Sequence, residues 1–228
     1  MNGAQATGPV YCETGHGWLF MAEPVNTLTN FVIIWAAIAA LIHVRRETGR
    51  HPADLMSLVF LLFATGIGSF FWHALRTPTW LVLDWLPGVL FLLTFIFLWL
   101  RALYGTLAGF GAMLLVMAAQ FSAISALRAQ AARMTAALPS PLVIAPFFVV
   151  LLVIGMGFVL LTRRVRGYPA ALSAGILLGM AALAALFRSI DLMACQTIPV
   201  GTHFLWHIFL SAAAYRCIAF LTRMKVEA

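Results

Sequence analysis

The sequence predicts an all-α, polytopic membrane protein: a seven-transmembrane-helix bundle with its N-terminus outside and its C-terminus in the cytoplasm. Three observations predict it. The 228 residues are 63% hydrophobic and only 9% charged, with a mean hydropathy of +1.00, whereas soluble domains are about 45–50% apolar and about 25% charged. Seven apolar windows are long enough to cross roughly 30 Å of hydrocarbon as helices. The basic residues sit in short connections between those windows and favour one side.

The outer tail, residues 1–23, reads MNGAQATGPVYCETGHGW and onward. It has no basic start and no apolar core, so it is not expected to be a signal peptide, and the first apolar run must itself begin insertion. The spans fall at roughly 24–44, 54–74, 81–104, 107–127, 141–162, 169–190 and 202–222. Pro or Gly marks most boundaries: Pro52, Pro78, Gly105, Pro139 with Pro141, Gly167 with Pro169, and Pro199 with Gly201. The fourth span is more polar, through Gln120, Ser122 and Ser125. No internal repeat or low-complexity segment divides the chain, so residues 1–228 read as one domain.

Charge then sets direction. Of the 14 Lys and Arg, ten lie in the first, third and fifth connections and at the C-terminal end, among them Arg45, Arg101, Arg163 and Lys225. Four lie on the opposite side: Arg76, Arg128, Arg133 and Arg188. This bias places the C-terminus inside. The net charge of +7 is thus accounted for by membrane orientation, and no Lys/Arg-aromatic surface remains to bind nucleic acid. The short loops and lean tails favour a bacterial inner membrane with the site toward the periplasm. A eukaryotic endomembrane is the other location that these features allow.

Six histidines are present. His43 and His51 lie by the inner first loop, and His16 lies in the tail. His73 ends the second span, while His203 and His207 open the seventh, so the topology brings these three to one depth under the outer face. Positions i and i+4 share a helix face, so His203 and His207 can hold one ion, and His73 can supply a third nitrogen. Three protein ligands with an open fourth position describe catalytic zinc, although imidazole suits other transition metals. Ser69 lies one turn before His73. Asp84, at the start of the third span, is an ionisable group at membrane depth, which is a functional hypothesis by default. It could take a proton from a metal-bound water or orient a ligand histidine.

Plainer readings stand beside these. An isolated HxxxH occurs by chance. Ser69 could back-bond to the Thr65 carbonyl, and Asp84 could cap its helix. Trp72, Trp80, Trp85 and Trp206 read as an interfacial aromatic belt, with Trp206 also a candidate pocket wall. Arg188 and Asp191 read as a local salt bridge, or as a contact to a polar head group.

Ser69-x3-His73-x10-Asp84 followed by the late HxxxH resembles the alkaline ceramidases, within the seven-helix hydrolase superfamily that also includes adiponectin-receptor-like proteins. The tail's Tyr11-Cys12-Glu13 and the stretch EPVNTLTN, residues 23–30, are similar to the ceramidase branch. The resemblance covers nearly the whole chain. It implies a zinc-dependent amidase that cleaves ceramide, or a related N-acyl lipid, into a long-chain amine and a fatty acid. It implies that His73, His203 and His207 hold zinc, that Asp84 acts on the attacking water, and that Ser69 steadies the carbonyl oxygen. It also implies a disulfide between Cys12 and Cys195, leaving Cys217 as a packed thiol. Finally it implies a calcium ion held by Glu13 and Glu23, but with a departure. The family's tail aspartate falls on Val10, the asparagine after Glu13 is replaced by Thr14 or Gly15, and the spacing to Glu23 is one residue shorter.

Two other classes compete. A receptor or sensor would use the metal structurally, and a fourth protein ligand would mark it. A metal or proton transporter would need polar residues through the bilayer, and the inner halves of the second, third and seventh spans are almost wholly apolar.

Overall fold

A computed structural model describes residues 8–133 and 140–227. Pro139, one of the expected boundary residues, lies outside them. Among the described residues the architecture is all-α: α1 Pro24–Thr29, α2 Phe31–Thr48, α3 Ala53–Leu75, α4 Pro78–Tyr104, α5 Thr106–Arg133, α6 Ser140–Ala194 and α7 His203–Val226. Six stretches are long and apolar enough to cross a membrane, with α1 and α2 counting as one, Pro24–Thr48. The expected fifth and sixth spans both fall within α6. That helix loses helical geometry at Gly167 (φ 78°, ψ −174°), the boundary that the Gly167-Tyr-Pro169 signal marks.

Local signals explain the ends. Gly49 closes α2 in the left-handed region (φ 65°) with its amide on the Arg45 carbonyl, a conformation that glycine adopts without Cβ strain. Pro78 occupies the first helical position of α4, where its missing N–H costs nothing. The third span therefore starts before the expected 81, and Asp84 lies in the second turn rather than at the cap.

Helix α3 runs through the middle of the bundle. Leu55, Leu58 and Leu62 of α3 pack with Phe95 and Trp99 of α4 and with Ile218 and Leu221 of α7 in one apolar cluster. Apolar side chains also cover the outside: Trp35, Phe60, Leu107 and Phe121 are among the large exposed ones. Such a surface suits lipid as solvent, since helices satisfy their own backbone groups there. At the N-terminal end of α3, Asp54 pairs with Arg101 of α4 (2.7 Å) and Lys225 of α7 (2.7 Å), tying three elements together.

The contact that matters for the site is between α3 and α4. A Cβ on Gly68 would collide with the Leu83 carbonyl, so only glycine permits this approach. Pro87, inside α4, has no N–H for the carbonyl four residues back, which is Leu83. The two helices thus touch backbone to backbone at the pair Gly68 and Leu83, and the next residues along, Ser69 and Asp84, are brought together. Trp72 does not join an aromatic belt. It is fully buried, under the Arg76 guanidinium at 4.2 Å. Trp80 stacks on Phe71 (4.4 Å), while Trp85 is half exposed.

Candidate metal centre

The last turn of α3 and the first two turns of α7 bring His73, His203 and His207 together. Their ring centroids lie 5.1 Å (73 to 203), 5.0 Å (73 to 207) and 4.7 Å (203 to 207) apart. One nitrogen from each fits within 4.8 Å of the others. All three side chains are at most 2% exposed.

The rings are oriented by their neighbours. His73 Nδ1 lies 2.5 Å from Glu23 Oε2. His207 Nδ1 lies 2.8 Å from Thr29 Oγ1. The Thr29 hydroxyl donates to the Val25 and Asn26 carbonyls, so its oxygen is left to accept from His207 Nδ1–H. Both rings therefore keep Nε2 as the nitrogen with a free lone pair, which is how metal-binding histidines are held. His203 stacks on Tyr11 at 4.0 Å. Its Nδ1 is buried without a hydrogen-bond partner, an orphan that costs about 1–3 kcal/mol unless an ion or water completes it.

The N-terminal tail builds much of this frame. The amides of Ala22 and Glu23 donate to the Ala74 and His73 carbonyls, satisfying carbonyls that the end of α3 leaves open. Glu13 accepts from the first amides of the next helix, Val25 (2.6 Å) and Asn26 (2.8 Å). Burial pushes the Glu13 carboxyl above its usual range, with those amides opposing. Burial likewise raises Glu23, opposed by the Thr14 hydroxyl and the Arg76 charge. Burial pushes the Tyr11 phenol up to about 12, so it stays a neutral platform beside His203.

A second tie fixes α7. The buried Asp191 carboxylate accepts from the amides of Thr202 (2.7 Å), His203 (2.9 Å) and Cys12 (3.1 Å). It thereby caps the helix that carries the HxxxH pair and anchors the tail. Gly201 (φ 69°) precedes it closely enough that a Cβ would strike Asp191 and Cys12. Cys12 and Cys195 are joined as a disulfide across 183 positions, and Cys217 is a buried free thiol.

Ser69 is buried, and its hydroxyl is directed at the Asp84 carboxylate. Both residues, with His203, His207, Tyr11 and Trp206, line a cavity of about 550 Å³. Its deeper wall is apolar, formed by residues such as Phe95, Ile96, Phe158, Leu177 and Cys217. A polar cluster thus sits at one end of a greasy chamber, an arrangement that can hold the polar bond of a long apolar molecule.

One expectation needs correction, and the calcium expectation at Glu13 and Glu23 meets carboxylates that already have protein partners. Both oxygens of Glu13 are taken by amides, and those of Glu23 face Thr14, Asn26, His73 and Arg76. Calcium prefers six to eight oxygens, and the cation at Glu23 is a guanidinium: Arg76 Nη1 lies 3.1 Å from Oε1. The correction is that Asp191 is not the partner of Arg188: its oxygens are spent on amides, and Arg188 lies over the Tyr11 ring at 4.6 Å. Sequence reasoning missed Glu23 and Thr29 as holders of the histidines, and Asp191 as the cap of α7. The only signal was their place in EPVNTLTN and just ahead of the HxxxH helix.

Residues 7–228 match a family profile described as Ceramidase. No curated protein matches the chain.

Proposed function

Because the chain belongs to the ceramidase family, we propose that it is a zinc-dependent intramembrane amidohydrolase, cleaving ceramide or a related N-acyl lipid into a long-chain amine and a fatty acid. The observation that carries this reading is one cavity whose polar end is lined by Ser69, Asp84, His203 and His207, with buried His73 completing the group of three imidazoles behind it. Zinc fits the donor set: two rings reserve Nε2, and a third has an orphaned nitrogen. Bound there, zinc would supply Lewis acidity that polarises a carbonyl and brings the pKa of water toward about 7.

The protein's own groups perform the rest. The cavity binds the acyl chain along its apolar wall and leaves the amide beside Ser69 and Asp84. Asp84 accepts a proton from the attacking water as the new C–O bond forms. Once protonated, Asp84 no longer needs the Ser69 hydrogen bond, so the hydroxyl is released to donate to the carbonyl oxygen as negative charge grows there. Asp84 then returns the proton to the amide nitrogen, the C–N bond breaks, and the amine and carboxylic acid leave. Glu23, Thr29 and Asp191 keep the histidines in place throughout.

The same reading takes the chain as one domain with seven crossings, α6 crossing twice about Gly167, and with the site near the non-cytoplasmic surface. A fourth protein ligand would mark the structural metal of a receptor, and among the described residues the group has three members. The test is to purify the protein, measure its metal, and assay release of fatty acid from ceramide and other long-chain amides. Metal removal, His73→Ala and Asp84→Asn should each abolish release. Undiminished turnover in the metal-free protein and both variants would sink the reading.

A further inference from the structure

Arg188 is the cation of the cavity. It lines the chamber together with Asp84, His203 and His207, and its charge acts on Asp84 and on all three histidines. Among the described residues no carboxylate lies within ion-pair distance of it. The nearest acid in sequence, Asp191, is saturated by three amides, and Glu23 is engaged by Arg76 and His73. What Arg188 has is the face of Tyr11, 4.6 Å from the ring centroid. Arg188 is partly buried, a cation–π contact offsets only about 0.5–2 kcal/mol, and Asp84 and Glu23 act on it through space rather than by an ion pair. A guanidinium at the polar end of an otherwise apolar chamber, with no carboxylate of the described residues in contact, leaves its donors for an anionic group of a ligand.

We propose that Arg188 is a specificity-determining residue that receives an anionic group, carboxylate or phosphate, on the amine half of the substrate. The preferred substrates are then N-acyl lipids whose amine part is acidic, rather than neutral ceramide. The inference rests on the amidohydrolase reading of the same site. The guanidinium fork matches carboxylate and phosphate oxygens two at a time. Tyr11 lies under the guanidinium at 4.6 Å, and Arg188 lines the cavity. With the acyl chain along the apolar wall and the amide at Ser69 and Asp84, the leaving amine is the part that extends toward Arg188.

The experiment uses the full-length, zinc-loaded protein and four probes of one acyl length: N-palmitoylglycine, N-palmitoyl phosphoethanolamine, N-palmitoylethanolamine and C16 ceramide. The wild type should show kcat/KM at least tenfold higher for an acidic probe than for its neutral counterpart. The glycine and phosphoethanolamine arms distinguish carboxylate from phosphate. In Arg188→Met that acidic-to-neutral ratio should collapse at least tenfold, mainly through KM, and Arg188→Lys should restore part of it. A wild-type ratio near one, or an equal loss on acidic and neutral probes in Arg188→Met, overturns the proposal. Thermal stabilisation by each probe is read in parallel on Asp84→Asn protein. If no probe is hydrolysed by wild type but acidic probes alone stabilise it, and lose that effect with Arg188→Met added, the anion site stands and the hydrolase reading falls. If neutral probes stabilise equally, the anion site falls.

Discussion

Glu23 Oε2 sits 2.5 Å from His73 Nδ1, linking the residue just before α1 to the last turn of α3. The carboxylate fixes the ring's tautomer and rotation and makes it a better donor to metal. Neither oxygen of Glu23 reaches solvent, since the side chain is fully buried. Replacing it by glutamine keeps size and a weaker acceptor but removes the charge. Outer partners of this kind are typically worth about 10- to 100-fold in metal affinity or activity. Glu23→Gln should therefore weaken zinc retention by about that factor in competition with a chelator. Unchanged retention would show that Glu23 is only a structural contact.

The Ser69–Asp84 pair separates chemistry from metal binding. Asp84→Asn keeps the shape but removes the proton acceptor, and general-base catalysis is worth about 10²–10⁴ in rate. Ser69→Ala removes one oxyanion donor, worth about 10²–10³ in kcat. Both variants should still bind one zinc per chain by elemental analysis, because neither residue belongs to the histidine group. Loss of zinc in either would move that residue into the ligand set.

Gly68 tests how that pair is brought together. A methyl there meets the Leu83 carbonyl and the Asp84 amide, backbone that cannot swing away as a side chain can. Gly68→Ala should push α4 from α3, costing about 1–3 kcal/mol as overpacking does. Activity should fall further than the stability loss explains, because Ser69 and Asp84 separate. Gly88→Ala is the control: its added methyl would find Thr65 at an ordinary 3.7 Å, and it should be close to wild type in melting temperature and turnover.

The histidine cluster was legible because it needs only two rules, the i, i+4 face of a helix and the alternation of spans across a bilayer. Both survive uncertainty of several residues at helix ends. The frame around the cluster was not legible. Glu23 to His73, Thr29 to His207 and Asp191 to Cys12 join segments with no periodic relation, and each depends on a carboxylate or hydroxyl finding one particular nitrogen. A charged pair close in sequence, Arg188 and Asp191, invited a local reading. The fold instead spends Asp191 on backbone amides, where a buried carboxylate gains three hydrogen bonds. The position of Asp84 within α4 could have been read from Pro78, which is a strong helix-start signal.

Arg76 pairs with Glu23, one of the two carboxylates that the resemblance assigns to a calcium ion. Its Nη2 also donates to the Pro9 carbonyl at 2.5 Å, and its plane covers Trp72 at 4.2 Å. The tail is thus held by a cation that no chelator removes. Melting temperature with a calcium-selective chelator should equal that with millimolar calcium. Arg76→Gln should lower stability by about 1–3 kcal/mol, because Glu23 loses a charged partner but keeps Thr14, Asn26 and His73. A chelator-induced drop in the wild type would restore calcium to the tail.

Cys217 lies far down the cavity, fourteen positions and nearly four turns of α7 beyond His203. At about 1.5 Å of rise per residue that is roughly 21 Å along the helix, long enough for an extended acyl chain to run beside it. The thiol is 7% exposed and packs in the same cluster as Ile218 and Leu221. Enlarging it to phenylalanine fills space at the floor and leaves the polar end untouched. Overpacking there costs about 1–3 kcal/mol, small enough for the bundle to keep its fold. Cys217→Phe should therefore shift chain-length preference toward shorter acyl groups: KM should rise for long chains while kcat for short ones holds. The measurement is kcat/KM across an N-acyl series differing only in length. An unchanged profile in a folded, zinc-loaded variant would mean that the acyl chain does not reach down α7, and that it leaves the site sideways into the bilayer instead.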